Sequence, residues 1–295
     1  MSSEATQGQP ALIAAALLLL EQGNREAAAQ ILQRARAEPA TLLQAHGLIE
    51  AYGLDGSFGN MMGLDCSISP NDDIFGFFAG HHTSINPLRD YLADGWRTQA
   101  ELMALMESVG QPLMQTTQFL EFASGHGRFT RHLAKLLGPE RVTVSDVVAD
   151  GVAFAQQKFG VNGFVSVSDP AQLHAPRRYD AVFVLSLFTH LPRRTWNAWL
   201  KALWDLVEPG GLLIFTTHGA KATAYDRIAL DDEGFFFTSV SESTAIDLQE
   251  YGMTFTSEAF VRKQIEAVMG ADALVKFSPV HFWNHQDAFV LRRQA

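Results

Sequence analysis

The chain has 295 residues, 47% of them hydrophobic, enough to bury one large core with room for a small appendage. Its formal charge of −10 argues against a surface that neutralises phosphates in bulk, so nucleic acid is not expected as a partner. Cys66 is the single cysteine, which excludes an internal disulfide and a cysteine-built zinc site and fits a reducing, cytoplasmic location.

Residues 10 to 52 read as helices rich in Ala and Leu, punctuated by Gly23 and Pro39. The apolar run Ala11 to Leu20 is too short to span a bilayer, and no Lys or Arg precedes it, so neither a membrane span nor a signal peptide is expected. Gly23, Ala28 and Pro39 are spaced faintly like a tetratricopeptide hairpin, but one unit does not make a solenoid. The expected division is a helical extension over 1–55, which caps the core or contacts a protein partner through residues 10–52, and a linker over 56–73 rich in Gly, Ser, Asn and Asp. A catalytic domain is expected over 74–295. Helical periodicity resumes from Ile74 to Val109.

After Gln118 the pattern alternates. Strands are expected at Phe119–Phe122, Val142–Ser145, Gly163–Val167, Ala181–Leu185 and Leu212–Thr216, with helical runs between most of them. That alternation predicts an α/β fold with a mostly parallel, Rossmann-like sheet covered on both faces. The turn Pro209-Gly210-Gly211 feeds the fifth strand. Ser257 is positioned to N-cap a helix that Gly270 ends. Two further strands, near Leu274–Phe277 and Ala288–Arg292, are joined by a short loop and are expected to pair antiparallel.

The most informative segment is Phe119-Leu-Glu-Phe-Ala-Ser-Gly-His-Gly-Arg-Phe129. An apolar strand ends in a carboxylate, Glu121. A turn of small residues follows, with Ala123, Ser124, Gly125 and Gly127, and then an amphipathic run. Strand, glycine turn and helix build a cradle for a nucleoside cofactor. The dinucleotide fingerprint wants a third glycine where this chain has Thr130, which speaks against a nicotinamide cofactor.

The order Glu-x-Ala-x-Gly-x-Gly resembles motif I of the class I S-adenosylmethionine (SAM) methyltransferases. Asp146 at the end of the next strand, Ser168-Asp169-Pro170 after the third, Tyr179 to Ser186 at the fourth and Pro209-Gly210-Gly211 before the fifth follow that family's order. The resemblance covers roughly residues 74–295 and implies a seven-stranded sheet whose last strand is antiparallel. It departs from the pattern at Ala123, usually glycine, and Glu121, often Asp. It implies that SAM is the cofactor, with Glu121 and the turn holding its methionine end. Asp146 would take the ribose hydroxyls, Asp169 would lie near adenine, and Val147 and Leu185 would complete the lining.

Ligands of an open α/β sheet sit beyond the carboxyl ends of its strands. Three histidines fall there: His190, His218 and His285, expected to converge on one mouth. Imidazole suits proton transfer near neutral pH. His190 is the leading general-base candidate for a hydroxyl acceptor, and His218 is second. Each has a plain structural alternative, shaping the pocket through backbone hydrogen bonds, and Asn284 or Asp287 can be the working neighbour of His285. His126 is expected to orient the glycine turn. His81 and His82 end a helix or form part of a lid, and Trp283 offers an aromatic wall. No tight spacing supports a metal.

Thr189-His190-Leu191, Phe215 to Gly219 and Asn284 to Asp287, with Gly125 to Arg128 and Tyr251-Gly252, resemble a group of bacterial methyltransferases often encoded with glycosyltransferases. That likeness implies a small-molecule or glycan acceptor. The alternatives are an amine acceptor and a non-catalytic module that keeps the fold for partner binding.

Overall fold

A computed structural model describes residues 3–241 and 246–294, with residues 3–10 as backbone only. The chain forms two compact units, Met1–Gly95 and Trp96–Ala295.

The first unit holds α1 (Ser3–Glu21), α2 (Arg25–Ala35), α3 (Leu42–Ala51), α4 (Phe58–Met62), α5 (Asp73–Gly80) and the start of α6 (Pro87–Ser108). Ile13, Ala16, Leu32, Ala45 and Ile49 bury one small core. The segment 56–73, expected as a linker, instead packs within this unit. Ser57 caps α4 by accepting a bond from the Asn60 N–H at 2.9 Å, Gly63 ends it in a left-handed conformation, and Cys66 is buried with Leu88, Tyr91 and Leu92. Polar composition there serves caps and tight turns.

The second unit is built on the strands β1 (Phe119–Phe122), β2 (Val142–Asp146), β3 (Asn162–Val165), β4 (Tyr179–Val184), β5 (Val207–Thr217), β6 (Phe235–Thr238), β7 (Met253–Thr256), β8 (Leu274–Phe282) and β9 (Gln286–Arg292). Between them run α7 (Thr130–Leu137), α8 (Ala149–Phe159), α9 (Arg193–Asp205), α10 (Ala220–Tyr225) and α11 (Glu258–Met269). The main sheet has seven strands in the order β3-β2-β1-β4-β5-β9-β8. The first five pair parallel, β9 is antiparallel to β5, and β8 is antiparallel to β9. This is the Rossmann-like sheet the sequence predicts.

The central strands are buried on both faces, which explains their continuous apolar runs. Leu120, Val182, Trp196, Leu213 and Phe289 fill one face of the sheet, and Phe119, Leu133, Val144, Phe183 and Ile214 the other. Strand order reverses between β1 and β4, and the glycine turn follows β1 at that switch point.

The sequence reading departs from the structure at two places in this unit. Pro209-Gly210-Gly211 lies inside β5, where the pairing with β4 shifts register. Gly211 sits there because a Cβ would lie 2.9 Å from the Asp180 carbonyl oxygen. The second is an additional antiparallel pair, β6 with β7, in register from Phe235↔Thr256 to Thr238↔Met253. Ser257 caps α11 as expected, accepting from the Phe260 N–H at 3.1 Å.

Candidate active site

β1 delivers Glu121 to the switch point in a buried position. Removal from water pushes its carboxyl up to about 8; the Thr130 hydroxyl, which donates to Oε2 at 2.7 Å, and the Arg128 charge oppose that rise. Thr130 stands where a dinucleotide fingerprint would place glycine, so the departure from that fingerprint is itself a contact with the carboxylate.

The turn that follows is shaped by backbone conformation. Ala123, Gly125 and Gly127 have φ of 61°, 55° and 82°, all left-handed. A methyl-bearing residue at 123 stores strain in the place where the fold meets its site. A Cβ on Gly127 would lie 2.6 Å from the Phe159 ring, whereas a Cβ on Gly125 would meet nothing within 4 Å. Gly127 is therefore required by packing, and Gly125 faces open space. Ser124 is buried, and its Oγ has no hydrogen-bond partner among the described residues. His126, inside the turn, has its Nε2 3.1 Å from Asp150 Oδ2 on α8.

Asp146 ends β2. Its Oδ2 accepts from the Gly125 N–H at 2.8 Å and its Oδ1 from the Val148 N–H at 2.9 Å. Burial raises its pKa, and those two backbone donors pull it back. Asp146 thus ties β2 to the glycine turn, with lone pairs left for a ligand. Val147 beside it is exposed. Asp169 is exposed and caps a short turn, accepting from Ala171 N–H at 3.0 Å and Gln172 Nε2 at 3.1 Å. Leu185, past β4, is partly buried.

Open space at Gly125, a Ser124 hydroxyl without a partner among the described residues and the buried carboxyls of Glu121 and Asp146 thus lie together around the turn.

The three rim histidines come together. The His218 and His285 rings are 5.3 Å apart at their centroids, and His190 is close enough to act on the charge of His218. His190 is buried, stacked on Tyr251 at 4.2 Å and 11°, and its Nδ1 donates to the Gly252 carbonyl at 2.6 Å. That bond fixes the orientation of the imidazole ring. His218 donates from Nδ1 to the Thr254 carbonyl at 3.2 Å. Desolvation, then His190 and His285, lower its pKa to about 3, so it is uncharged and weakly basic. His285 follows a tight turn in which Trp283 and Asn284 both have positive φ and the His285 N–H donates to the Phe282 carbonyl at 2.9 Å. Asp287 is engaged by the Val280 N–H at 2.7 Å, and burial raises its carboxyl.

Two alternate carbonyls, Gly252 just before β7 and Thr254 within it, accept from His190 and His218. Tyr251-Gly252 was visible in the sequence only as a shared pattern, without a role. Also missed was a polar knot at the end of β4. Ser186 has φ 64°, its N–H donates to Thr216 Oγ1 at 2.8 Å, Thr216 Oγ1 donates to Gln286 Oε1 at 2.6 Å, and Gln286 Nε2 donates to Ser186 Oγ at 2.9 Å. No residue type in that knot announces itself in sequence.

Trp283 is placed differently from an open aromatic wall. Its indole N–H donates to Thr98 Oγ1 at 3.1 Å, its backbone N–H to Glu101 Oε2 at 3.0 Å, and the Arg128 guanidinium covers the ring at 4.9 Å. His81 and His82 are exposed and stack on each other at 4.8 Å in the first unit. Among the described residues no cluster of three His, Cys, Asp or Glu forms a metal site, and no helix is long and apolar enough to cross a membrane.

Residues 119–211 match a family model described as a methyltransferase domain. A curated ribosomal protein L11 methyltransferase from Geotalea uraniireducens (strain Rf4) is 34% identical over 100 residues, 33% of this chain. The matched stretch spans about 30% of that relative's length. Among solved structures, magnesium protoporphyrin IX methyltransferase from Synechocystis PCC 6803 with bound SAH aligns with a TM-score of 0.50 and 18% identity, over 80% of this chain and 100% of its own. An S-adenosylmethionine-dependent methyltransferase from Clostridium acetobutylicum ATCC 824 aligns at 0.49 and 12%, over 68% and 93%.

Proposed function

We propose that this chain is a SAM-dependent methyltransferase that methylates a hydroxyl group of a small molecule or glycan. The observation that carries the reading is the cradle at the β1–α7 turn, where buried Glu121 and Asp146 flank an open Gly125 and an unpartnered Ser124 hydroxyl. The matching of residues 119–211 to a methyltransferase domain supports it.

SAM, when bound, supplies an activated methyl group on a sulfonium, so the protein's task is alignment and proton removal. Glu121 and Ser124 hold the amino-acid end, Asp146 the ribose, and Asp169, Val147 and Leu185 border the adenine side. A hydroxyl acceptor must lose its proton as it is methylated, and a positioned base contributes about 10²–10⁴-fold. His190 takes that role, its ring oriented at the mouth by the Nδ1–H bond to the Gly252 carbonyl. His218, held neutral, and His285 line the same mouth and shape it.

Calorimetric titration with SAM and its demethylated product tests the cofactor, and mass spectrometry of the purified chain tests for either molecule carried along. Binding of neither overturns the reading and favours a non-catalytic module. With an acceptor in hand, His190→Ala should lose methyl transfer while keeping SAM affinity. Unchanged turnover in both His190→Ala and His218→Ala removes the base and points to an acceptor that needs none, such as an amine.

A further inference from the structure

A cavity of about 540 Å³ opens between α10 and the N-terminus of α11. None of the cofactor-cradle residues lines it. Its volume is in the range that holds a drug-sized molecule, roughly 300–1,000 Å³.

Its walls are largely alkyl. Ala220 and Ala224 come from α10, and Ile228 and Leu230 from the segment after it. Against such walls each hydroxyl of a sugar would lose water without gaining a partner, at about 1–3 kcal/mol apiece. An aryl or alicyclic body meets them without that penalty.

Two polar features define how such a body would be held. Thr256, at the end of β7, lines the cavity, is 1% exposed, and its Oγ1 has no hydrogen-bond partner among the described residues. A buried hydroxyl without a partner is a cost that a ligand acceptor or donor would remove. Arg227 is exposed at the rim with φ 56° and brings a cation. The only carboxylate among the lining residues, Glu258, is already paired with Arg262 at 2.7 Å. The twelve-residue α11 presents its N-terminus at the same cavity, a helix end that favours an anion.

The cavity adjoins the histidine mouth through shared backbone. Ala220 lies two residues past His218, and the Thr256 N–H donates to the His218 carbonyl at 2.9 Å. We propose that this cavity binds the apolar body of the methyl acceptor, and that the acceptor is an aromatic or alicyclic acid rather than a saccharide. The acceptor assignment rests on the methyltransferase reading above; the site itself rests on the cavity and Thr256.

The test uses the full chain titrated by calorimetry with 1-naphthoate, the uncharged 1-naphthalenemethanol, and glucose, with the demethylated cofactor titrated in parallel. Ala224→Trp fills the cavity from an exposed helix position, and Arg227→Gln removes the cation. Both naphthyl probes should bind the wild type, and Ala224→Trp should weaken both at least tenfold. Arg227→Gln should weaken 1-naphthoate about tenfold and leave the alcohol unchanged, and glucose should give no binding. Equal naphthoate affinity in the wild type and both variants, no naphthoate binding, or preferred glucose binding overturns the proposal. If the naphthyl pattern holds but the demethylated cofactor does not bind, the methyltransferase reading falls and the ligand site stands. If the cofactor binds and the naphthyl pattern is absent, the acceptor inference falls alone.

Discussion

His190 and Gly252 hold each other twice: the imidazole Nδ1–H donates to the Gly252 carbonyl at 2.6 Å, and the Gly252 N–H donates to the His190 carbonyl at 2.9 Å. Residue 252 must be glycine, since a Cβ would press on the Thr238 carbonyl and lie 2.7 Å from the Phe237 ring. Gly252→Ala is therefore expected to push β7 away from β6 and from the imidazole together. The change should cost about 1–3 kcal/mol of stability, the usual range for overpacking. It should also lower kcat more than it raises the Kd for SAM, because the cradle is built on other strands. Thermal unfolding and calorimetry on one sample check both parts.

Gly125 and Gly127 are two residues apart and separate the two needs of the turn. Gly127→Ala brings a Cβ to 2.6 Å from Phe159 at φ 82°, so it should destabilise the fold by about 2–4 kcal/mol, combining left-handed strain with overpacking. Gly125→Ala meets nothing within the protein at φ 55°, so its stability loss should stay near the strain alone, about 1–2 kcal/mol. Its methyl group projects into the space assigned to the cofactor, and SAM affinity should fall at least tenfold. A Gly125→Ala chain that binds SAM as tightly as wild type would show that the open space there is solvent.

The sheet and its glycine turn were legible because their signals are local. Continuous apolar runs such as Phe119–Phe122 and Tyr179–Val184 mark strands buried on both faces, and Ser257 and Gly270 mark the ends of α11. The pairing β6–β7 was not legible. Its strands have four residues each, and Thr238 and Met253 are not joined by the short two- to five-residue turn of a hairpin. Thr254 of that pair and Gly252 just before it hold the His218 and His190 rings, an orientation the sequence did not announce. The linker reading of 56–73 misled for a related reason: Ser57, Gly63 and Asp72 are turn and cap formers whether a segment is loose or folded tightly around a buried Cys66. Asp169 shows the same ambiguity, since the residue that looks aimed at adenine caps a turn.

Gln286 is the hub of the knot that clamps Ser186, and it is buried with both ends of its amide bonded. Gln286→Leu would leave the Thr216 and Ser186 hydroxyls short of partners in a buried site, at about 1–3 kcal/mol. Ser186 sits in a left-handed conformation beyond β4, and release of its clamp should let that backbone relax. The expected signature is a lower kcat with near-normal SAM binding, partly rescued by Gln286→Glu at low pH, where a protonated carboxyl again offers one donor and one acceptor. Loss of stability with an unchanged kcat would reduce the knot to a structural role.

Glu121 and His218 make opposite contributions to stability across pH. Glu121 is raised from 4.5 to about 8, so the folded chain keeps a proton that the unfolded chain has released. Its contribution is fully present below pH 4.5 and is lost as pH rises through about 8, at up to about 1.4 kcal/mol per pH unit. His218 is lowered from 6.5 to about 3, so its contribution is present above pH 6.5 and is lost as pH falls through about 3. Glu121→Gln should flatten the alkaline slope, with a residual slope from Asp146, whose carboxyl is raised as well. His218→Gln should flatten the acid slope. Denaturant titrations between pH 4 and 9 read both. A sulfonium bound beside Glu121 favours the ionised carboxylate, so SAM binding should expel a proton near pH 7 and tighten toward pH 8.5, at most tenfold per pH unit. Calorimetry in buffers of different ionisation enthalpy counts that proton. It should disappear in Glu121→Gln, and an undiminished release in that variant would place the titrating group elsewhere.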